Sequence, residues 1–348
     1  MKIILLSLFL FHSFSLHALG NKDFIIQDNV LVRYEGNEEH VIIPANLGIT
    51  EIGDMAFAGC SSLESITIPE SVISIGENQF NSCSKLRSIY VNERNVMFAD
   101  LDGVLFNKDM TTLIRYPSGK PGNDFDIPSS VTSIGNFAFY GSSLERITIP
   151  ESVTCIGKGA FELTKIRSIV IPSGITVIKE LSFAACFYLE SITIPEGVIS
   201  IESFAFFGST GLINITIPSS VTSIGEETFN WEPRLTNRMN LININVAEGN
   251  EIYSSVDGIL FNKEKTVLLQ YPAGREESSY IIPSSVTTIG YKAFFGSKLV
   301  SITILSDITE IGERAFDICF DLRTVVISRN TIIGRYAFPR NTEVIYGD

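Results

Sequence analysis

The side chains able to do chemistry are few, and their spacing suits little of it. Three histidines occur in 348 residues, and two of them, His12 and His17, fall in an apolar leader. His40 alone remains in the body of the chain, which argues against Ser-His-Asp and Cys-His nucleophilic sites and against histidine-rich zinc sites. The five cysteines include no C-x-x-C pair, and no glycine-rich phosphate loop opens a helix. Asp102 and Asp257 each precede a glycine, the composition of a tight turn more than of a calcium ligand set. Aspartates and glutamates are plentiful, but no spacing selects a glycosidase-like pair. No catalytic residue, metal site or cofactor is expected.

Four of the cysteines repeat a position. Cys60, Cys83, Cys186 and Cys319 each stand three residues after a recurring phenylalanine. Ser142, Thr164, Ser209 and Ser297 hold that place elsewhere. A slot shared by Cys, Ser and Thr is small, inward and hydrogen-bonding, so these read as buried free thiols rather than disulfides. Cys155 occupies a different slot with no obvious partner.

The side chains better placed for recognition are polar and alternate with buried apolar ones. Outward positions are expected at Ser65 and Thr67, Ser88 and Tyr90, Arg146 and Thr148, Ser191 and Thr193, Asn214 and Thr216, Asn243 and Asn245, and Ser301 and Thr303. At ~4.8 Å per strand, about a dozen strands make a flat, polar, almost uncharged strip on the order of 60 Å long. The candidate contacts on it are Thr67, Tyr90, Thr148, Thr193, Asn214, Thr216, Asn245 and Thr303. A second candidate is the irregular segment NWEPRLTNRMN, which holds the only tryptophan, Trp231, beside Arg234 and Arg238. Surface Trp and Arg are common binding hot spots; the alternative is that Trp231 packs on its own coil.

The elements behind these residues come from one repeated unit. Residues 63–83 read LESITIPESVISIGENQFNSC, and I-x-x-x-x-F recurs with Phe at 57, 80, 139, 161, 183, 206, 229, 294, 316 and 338. Most steps are 22 or 23 residues, a period that signals a solenoid. Ser65 to Ile68 alternate like a half-buried strand, and Pro69 ends it. Gly76 is expected to supply positive φ at a corner, and Phe80 to plug the coil interior. Such a unit buries these residues only against its neighbours.

Two steps are long, 80 to 139 and 229 to 294. Residues 86–117 and 241–272 match at fifteen of thirty-two positions with a constant offset of 155, so the second insert copies the first. Each reads as a strand, a loop and a β-hairpin, with turns at Asp102-Gly103 and Asp257-Gly258 and tips at Asn107-Lys108-Asp109 and Asn262-Lys263-Glu264. The hairpin inserts span about 92–127 and 247–282 and should continue the solenoid sheet. An N-terminal hairpin cap is expected over 21–44, with its turn at Glu35-Gly36-Asn37, and one solenoid of ten repeats over 45–348. Residues 1–20, MKIILLSLFLFHSFSLHALG, have the pattern of a secretory signal peptide. The net charge of −13 leaves no footprint for nucleic acid or an anionic membrane.

The units ITIPESVISIGENQFNSCSKL, ITIPSSVTSIGEETF and IIPSSVTTIGYKAFFGSKL resemble the BspA-like, or Treponema pallidum type, leucine-rich repeats, and DGVLFNKDMTTLIRYPSGK and DGILFNKEKTVLLQYPAGR resemble hairpin variants within such arrays. The resemblance implies a curved, mostly β solenoid with little helix, a parallel sheet on the concave side and short strands and turns on the convex side. It also implies surface or secreted localisation and adhesion to a host extracellular-matrix or cell-surface protein, or to another cell. A periplasmic or structural scaffold for a self-derived partner is the alternative. Both readings are non-enzymatic.

Overall fold

The computed structural model describes residues 21–231, 239–304 and 308–347. Each coil has three sides. The first is a strand of three to five residues, such as Ser65–Ile68, and these strands pair in parallel and in register, Ser65 opposite Ser88 and Ile66 opposite Ile89. We call this the long-strand face. The second side is a two-residue strand such as Ser74–Ile75, which forms a short parallel ladder. The third is the turn that carries the phenylalanine. It has no strand geometry, yet it bonds from coil to coil, with Phe57 N to Gln79 O at 2.8 Å and Phe139 N to Ala160 O at 2.8 Å. Helix among the described residues is confined to two short 3-10 turns, Asn21–Asp23 and Ala45–Leu47.

The interior is a column of rings. Phe139, Phe161, Phe183 and Phe206 stack with centroids 5.2, 5.3 and 5.6 Å apart and planes within 11°. All four are buried. Beneath them the small slot behaves as its composition suggests. The thiols of Cys83, Cys186 and Cys319 donate to the carbonyls of Phe57, Phe161 and Phe294 in the preceding coil at 3.0, 3.0 and 2.9 Å. Ser209 makes the same bond to Phe183. All five cysteines are free, although Cys60 is only half-buried.

The corner is made differently from the sequence expectation. The left-handed residue is not Gly76 but the one two positions before the phenylalanine: Met55, Asn78, Phe137, Leu181, Phe204, Glu227, Lys292, Arg314 and Tyr336, all with φ between 50° and 60°. Gly76 is required for close approach, because a Cβ there would lie 2.7 Å from the backbone nitrogen of Asp54 in the coil beside it. The coil tolerates strained non-glycine residues at its corner because the turn's coil-to-coil bonds hold the backbone there; Phe137 N, for example, reaches Lys158 O at 2.9 Å.

The N-terminal hairpin also departs from its expected place. Phe24–Gln27 and Val30–Tyr34 pair antiparallel around Asp28-Asn29, both with positive φ, and Glu35-Gly36-Asn37 leads into His40–Ile42, the first long-face strand. A turn needs backbone able to go left-handed, and Asp-Asn meets that need as well as Gly. This hairpin is a third copy of the one in the inserts. Tyr34 N, Tyr116 N and Tyr271 N bond to Ala56 O, Ala138 O and Ala293 O, each at 2.7 Å.

The solenoid is therefore three blocks, over 24–91, 98–246 and 253–347. Each is opened by a hairpin and a tyrosine that heads the ring column, and the buried core falls into three clusters that follow these blocks except at the junctions, where Phe98 and Leu105 join the first and Leu260, Ala273 and Phe295 the second. In each insert the Asp-Gly turn is itself a hairpin turn between paired strands, Phe98–Leu101 with Val104–Asn107 and Tyr253–Val256 with Ile259–Asn262. It ends the long-strand ladder of the block before it: Ile89 N bonds to Gly103 O, and Ile244 N to Gly258 O, both at 2.8 Å. A third strand, Thr112–Arg115 or Val267–Gln270, pairs antiparallel with the second and joins the next short ladder in parallel, Thr112 opposite Ser133 and Val267 opposite Thr288, so the inserts do continue the solenoid. Asn95 and Asn250 lock the junctions. Each is buried, donates to two carbonyls of the preceding coil, and accepts from two backbone amides of its own insert.

Removing a ring from mid-column leaves a void that its neighbours cannot close. Phe183→Ala should cost about 3–5 kcal/mol in urea unfolding. Phe338→Ala, in the half-exposed last ring, should cost less than half as much.

Candidate interaction surface

The long-strand face carries the predicted contacts on one side of the sheet. Tyr90, Thr148, Thr193, Asn214, Thr216, Asn245 and Thr303 are exposed, and Thr67 is half-buried. Register brings several together. Thr67 stands opposite Tyr90, Thr193 opposite Val170, and Thr216 opposite Asn245. Asn243 donates to Asn214 at 2.7 Å, an amide pair across adjacent strands. Strand period two puts the intervening isoleucines in the core; Ile66, Ile89, Ile215 and Ile244 are all buried.

Three features of this face were not foreseen. The Asp-Gly turns interrupt it after Ser88–Val91 and after Asn243–Val246, so it consists of three strips rather than one. It also contains strands that the I-x-I pattern missed, His40–Ile42, Asp124–Asp126 and Ser279–Ile281. At Asp124–Asp126 and Ser279–Ile281 an aromatic, Phe125 or Tyr280, replaces the inward isoleucine and packs on the tyrosine that heads its block, 5.0 and 5.2 Å away. The clue available was the proline that follows, in DFDIP and SYIIP. Finally, the middle strip is charged at its start, where Arg146 pairs with Asp124 at 2.7 Å and Asp126 is exposed. Beside the face, Arg167 bridges Glu145 and Glu190 at 3.3 Å each.

The second candidate must be corrected. Trp231 is not presented to a partner: it is 7% exposed, meets Phe295 edge-on at 5.1 Å, and lies across Gly296. Gly296 has no Cβ to oppose the indole, so Trp231 reaches from the last coil of the second block into the first coil of the third. Burying so large a ring is favourable wherever a seat exists, and the third block supplies one. Arg234 and Arg238 lie outside the described residues.

The chemistry of the remaining groups is quiet. Burial pushes the thiols of Cys186 and Cys319 up to about 12 and raises that of Cys83 through its hydrogen bond with Cys60, which lowers Cys60 in turn. A thiol held protonated is a poor nucleophile. His40 Nδ1 lies 2.9 Å from Ser65 Oγ on the first strands. Asp102 and Asp257 have φ of 51° and 49° and precede glycines at 75°, the geometry of tight hairpin turns. Among the described residues, no group of three His, Cys, Asp or Glu could hold a metal ion. Glu162 is a half-buried carboxyl that burial raises from 4.5 to about 7 against the opposing pull of Lys158.

The BspA type leucine rich repeat region matches residues 26–108, 118–236 and 275–346 in six copies, so the chain belongs to the BspA-type leucine-rich repeat family. Its fold is similar to that of a leucine-rich cell surface protein from Faecalibacterium prausnitzii, with 24% identity over 91% of this chain and 93% of that one and a TM-score of 0.51. It is also similar to the pneumococcal vaccine antigen PcpA, with 17% identity over 93% and 85% of the two chains and a TM-score of 0.52. No curated protein matches the chain. Repeats of this family typically serve as protein-interaction scaffolds without catalysis. No helix among the described residues is long and apolar enough to cross a membrane.

Two outcomes follow. Trp231→Ala should cost about 3–5 kcal/mol and split thermal unfolding, with the third block melting first by calorimetry. Glu162 has a folded pKa above its ordinary value, so the fold favours its protonated form and loses stability as pH rises from 4.5 to about 7. Glu162→Gln should therefore leave the melting temperature unchanged at about pH 4 and raise it at about pH 8.

Proposed function

We propose that this chain is exported by way of residues 1–20 and binds another protein, on a host or neighbouring cell surface, through its long-strand face. The observation that carries this reading is the face itself. Exposed Tyr, Thr and Asn side chains stand at regular positions on a backbone that the coil-to-coil bonds hold rigid. Its three strips together, on the order of 60 Å by 10 Å, offer roughly 600 Å², comparable with the ~800 Å² that each partner buries in a stable complex. A rigid scaffold loses little conformational freedom on binding, which favours affinity. The reading is non-enzymatic. The thiols of Cys83, Cys186 and Cys319 are buried against carbonyls, and the family to which the chain belongs typically binds rather than reacts.

The test is a binding screen of the secreted chain against matrix proteins and intact cells, beside fractionation of the producing cell. Changing Tyr90, Asn214 and Asn245 together to Ala should reduce binding by at least about tenfold with an unchanged circular dichroism spectrum. Undiminished binding by the triple variant would remove the face from consideration. Protein found wholly inside an envelope, beyond the reach of added protease, would favour the scaffold for a self-derived partner.

A further inference from the structure

The two insert junctions differ at a position that the fold uses to hold a cation. At the first, Arg115 is 2% exposed and has no carboxylate partner among the described residues. Its guanidinium donates to the carbonyl of Phe137 at 2.5 Å and reaches those of Phe80 and Tyr140 at 3.5 Å, over the Tyr140 ring. The second junction has the same backbone, with Arg115 opposite Leu105 in one hairpin and Gln270 opposite Leu260 in the other. There the cation has moved. Lys292 takes the place of Phe137 and lies over the Phe295 ring at 5.0 Å.

Beside Gln270 is a cavity of about 180 Å³. Phe229, Leu260 and Leu269 wall it, Tyr253 and Tyr291 flank it, and Glu226 and Glu227 line it. Lys292 pairs with Glu227 at 2.8 Å, and the Tyr291 hydroxyl donates to the same carboxylate at 3.3 Å. Glu227 is therefore neutralised, and Glu226 leaves the cavity with one net negative charge. Asn230, which also lines it, is 2% exposed, and its Oδ1 accepts no hydrogen bond among the described residues. A buried acceptor without a donor is costly unless something fills it. Glu226 is exposed and Tyr291 is 40% exposed, so the cavity opens to the surface.

We infer that this cavity receives the arginine side chain of a partner protein. A guanidinium carries one positive charge and a planar fork of donors. It is weakly hydrated and stacks on aromatic rings. It would meet Glu226 at the mouth, Asn230 Oδ1 within, and ring faces on either side. The first junction shows that this hairpin register tolerates a buried guanidinium. The source of the arginine rests on the protein-binding reading above; the cavity's preference for a guanidinium does not.

The test uses the whole protein and N-acetyl-arginine amide as probe, read by calorimetry and by NMR shifts of the tyrosine rings. N-acetyl-citrulline amide serves as the neutral control of nearly the same shape. The probe should bind with a dissociation constant on the order of 1 mM, and the citrulline amide at least about tenfold more weakly. Glu226→Gln should weaken the probe by about tenfold. Gln270→Arg, which supplies the chain's own guanidinium, should abolish binding. Equal binding of the citrulline amide overturns the inference. So does full affinity in folded Glu226→Gln or Gln270→Arg protein, or no response to the probe at about 20 mM. Arginine binding together with a failed long-strand-face screen would sink the functional proposal and leave this one standing.

Discussion

Each coil of this protein buries its ring against the ring above and the ring below, and no coil can do so alone. That constraint sets the rest of the structure. Stacked phenylalanines about 5 Å apart match the spacing of parallel strands, so the ring column and the backbone ladders share one repeat distance. The small slot next to the ring follows from it. A Cys or Ser there can reach the carbonyl of the phenylalanine in the preceding coil, Thr164 bonds that of its own coil, and a larger residue would push the rings apart. The glycine after most of the short strands answers the same demand, because at Gly76, Gly157 and Gly225 the neighbouring backbone lies within 3.0 Å of where a Cβ would stand, although Lys179 and Glu202 take that place in two coils.

A column built this way is vulnerable wherever it is interrupted, and the two inserts interrupt it. The molecule repairs each break with buried polar and aromatic contacts that regular coils do not need. Asn95 and Asn250 saturate their hydrogen bonds across the gap. Tyr116 and Tyr271 restart the column, supported by Phe125 and Tyr280. Arg115 lies over Tyr140 at one junction, while Lys292 lies over Phe295 and Trp231 crosses Gly296 at the other. The junctions are thus where two copies of one insert have diverged, and where residues of unusual chemistry collect. Regular coils hold little beyond Ile, Phe and a small polar residue, since every position in them must satisfy two identical neighbours.

The same arithmetic separates function from the core. The thiols of Cys186 and Cys319 are committed to carbonyls and kept protonated by burial. What faces solvent is a row of side chains at strand period two, whose identities are not constrained by packing. A surface of that kind can vary while the scaffold stays constant, which suits recognition better than catalysis.

The amino-acid sequence alone determined the repeat, the alternation of buried and exposed residues, the small slot and the kinship of the two inserts. These are local patterns, and each coil repeats the same local physics. The tertiary structure decided what depends on contacts between unlike coils. It placed the left-handed corner at Asn78 and its equivalents, because coil-to-coil bonds rather than residue preference hold the backbone there. It showed that Phe24–Gln27 and Val30–Tyr34 copy the insert hairpin, a kinship hidden because Asp28-Asn29 replaces a longer tip. It added Asp124–Asp126 and Ser279–Ile281 to the long-strand face, where an aromatic stands for the expected isoleucine. And it turned Trp231 inward, since its seat at Gly296 lies 65 residues away along the chain and no local pattern could announce it.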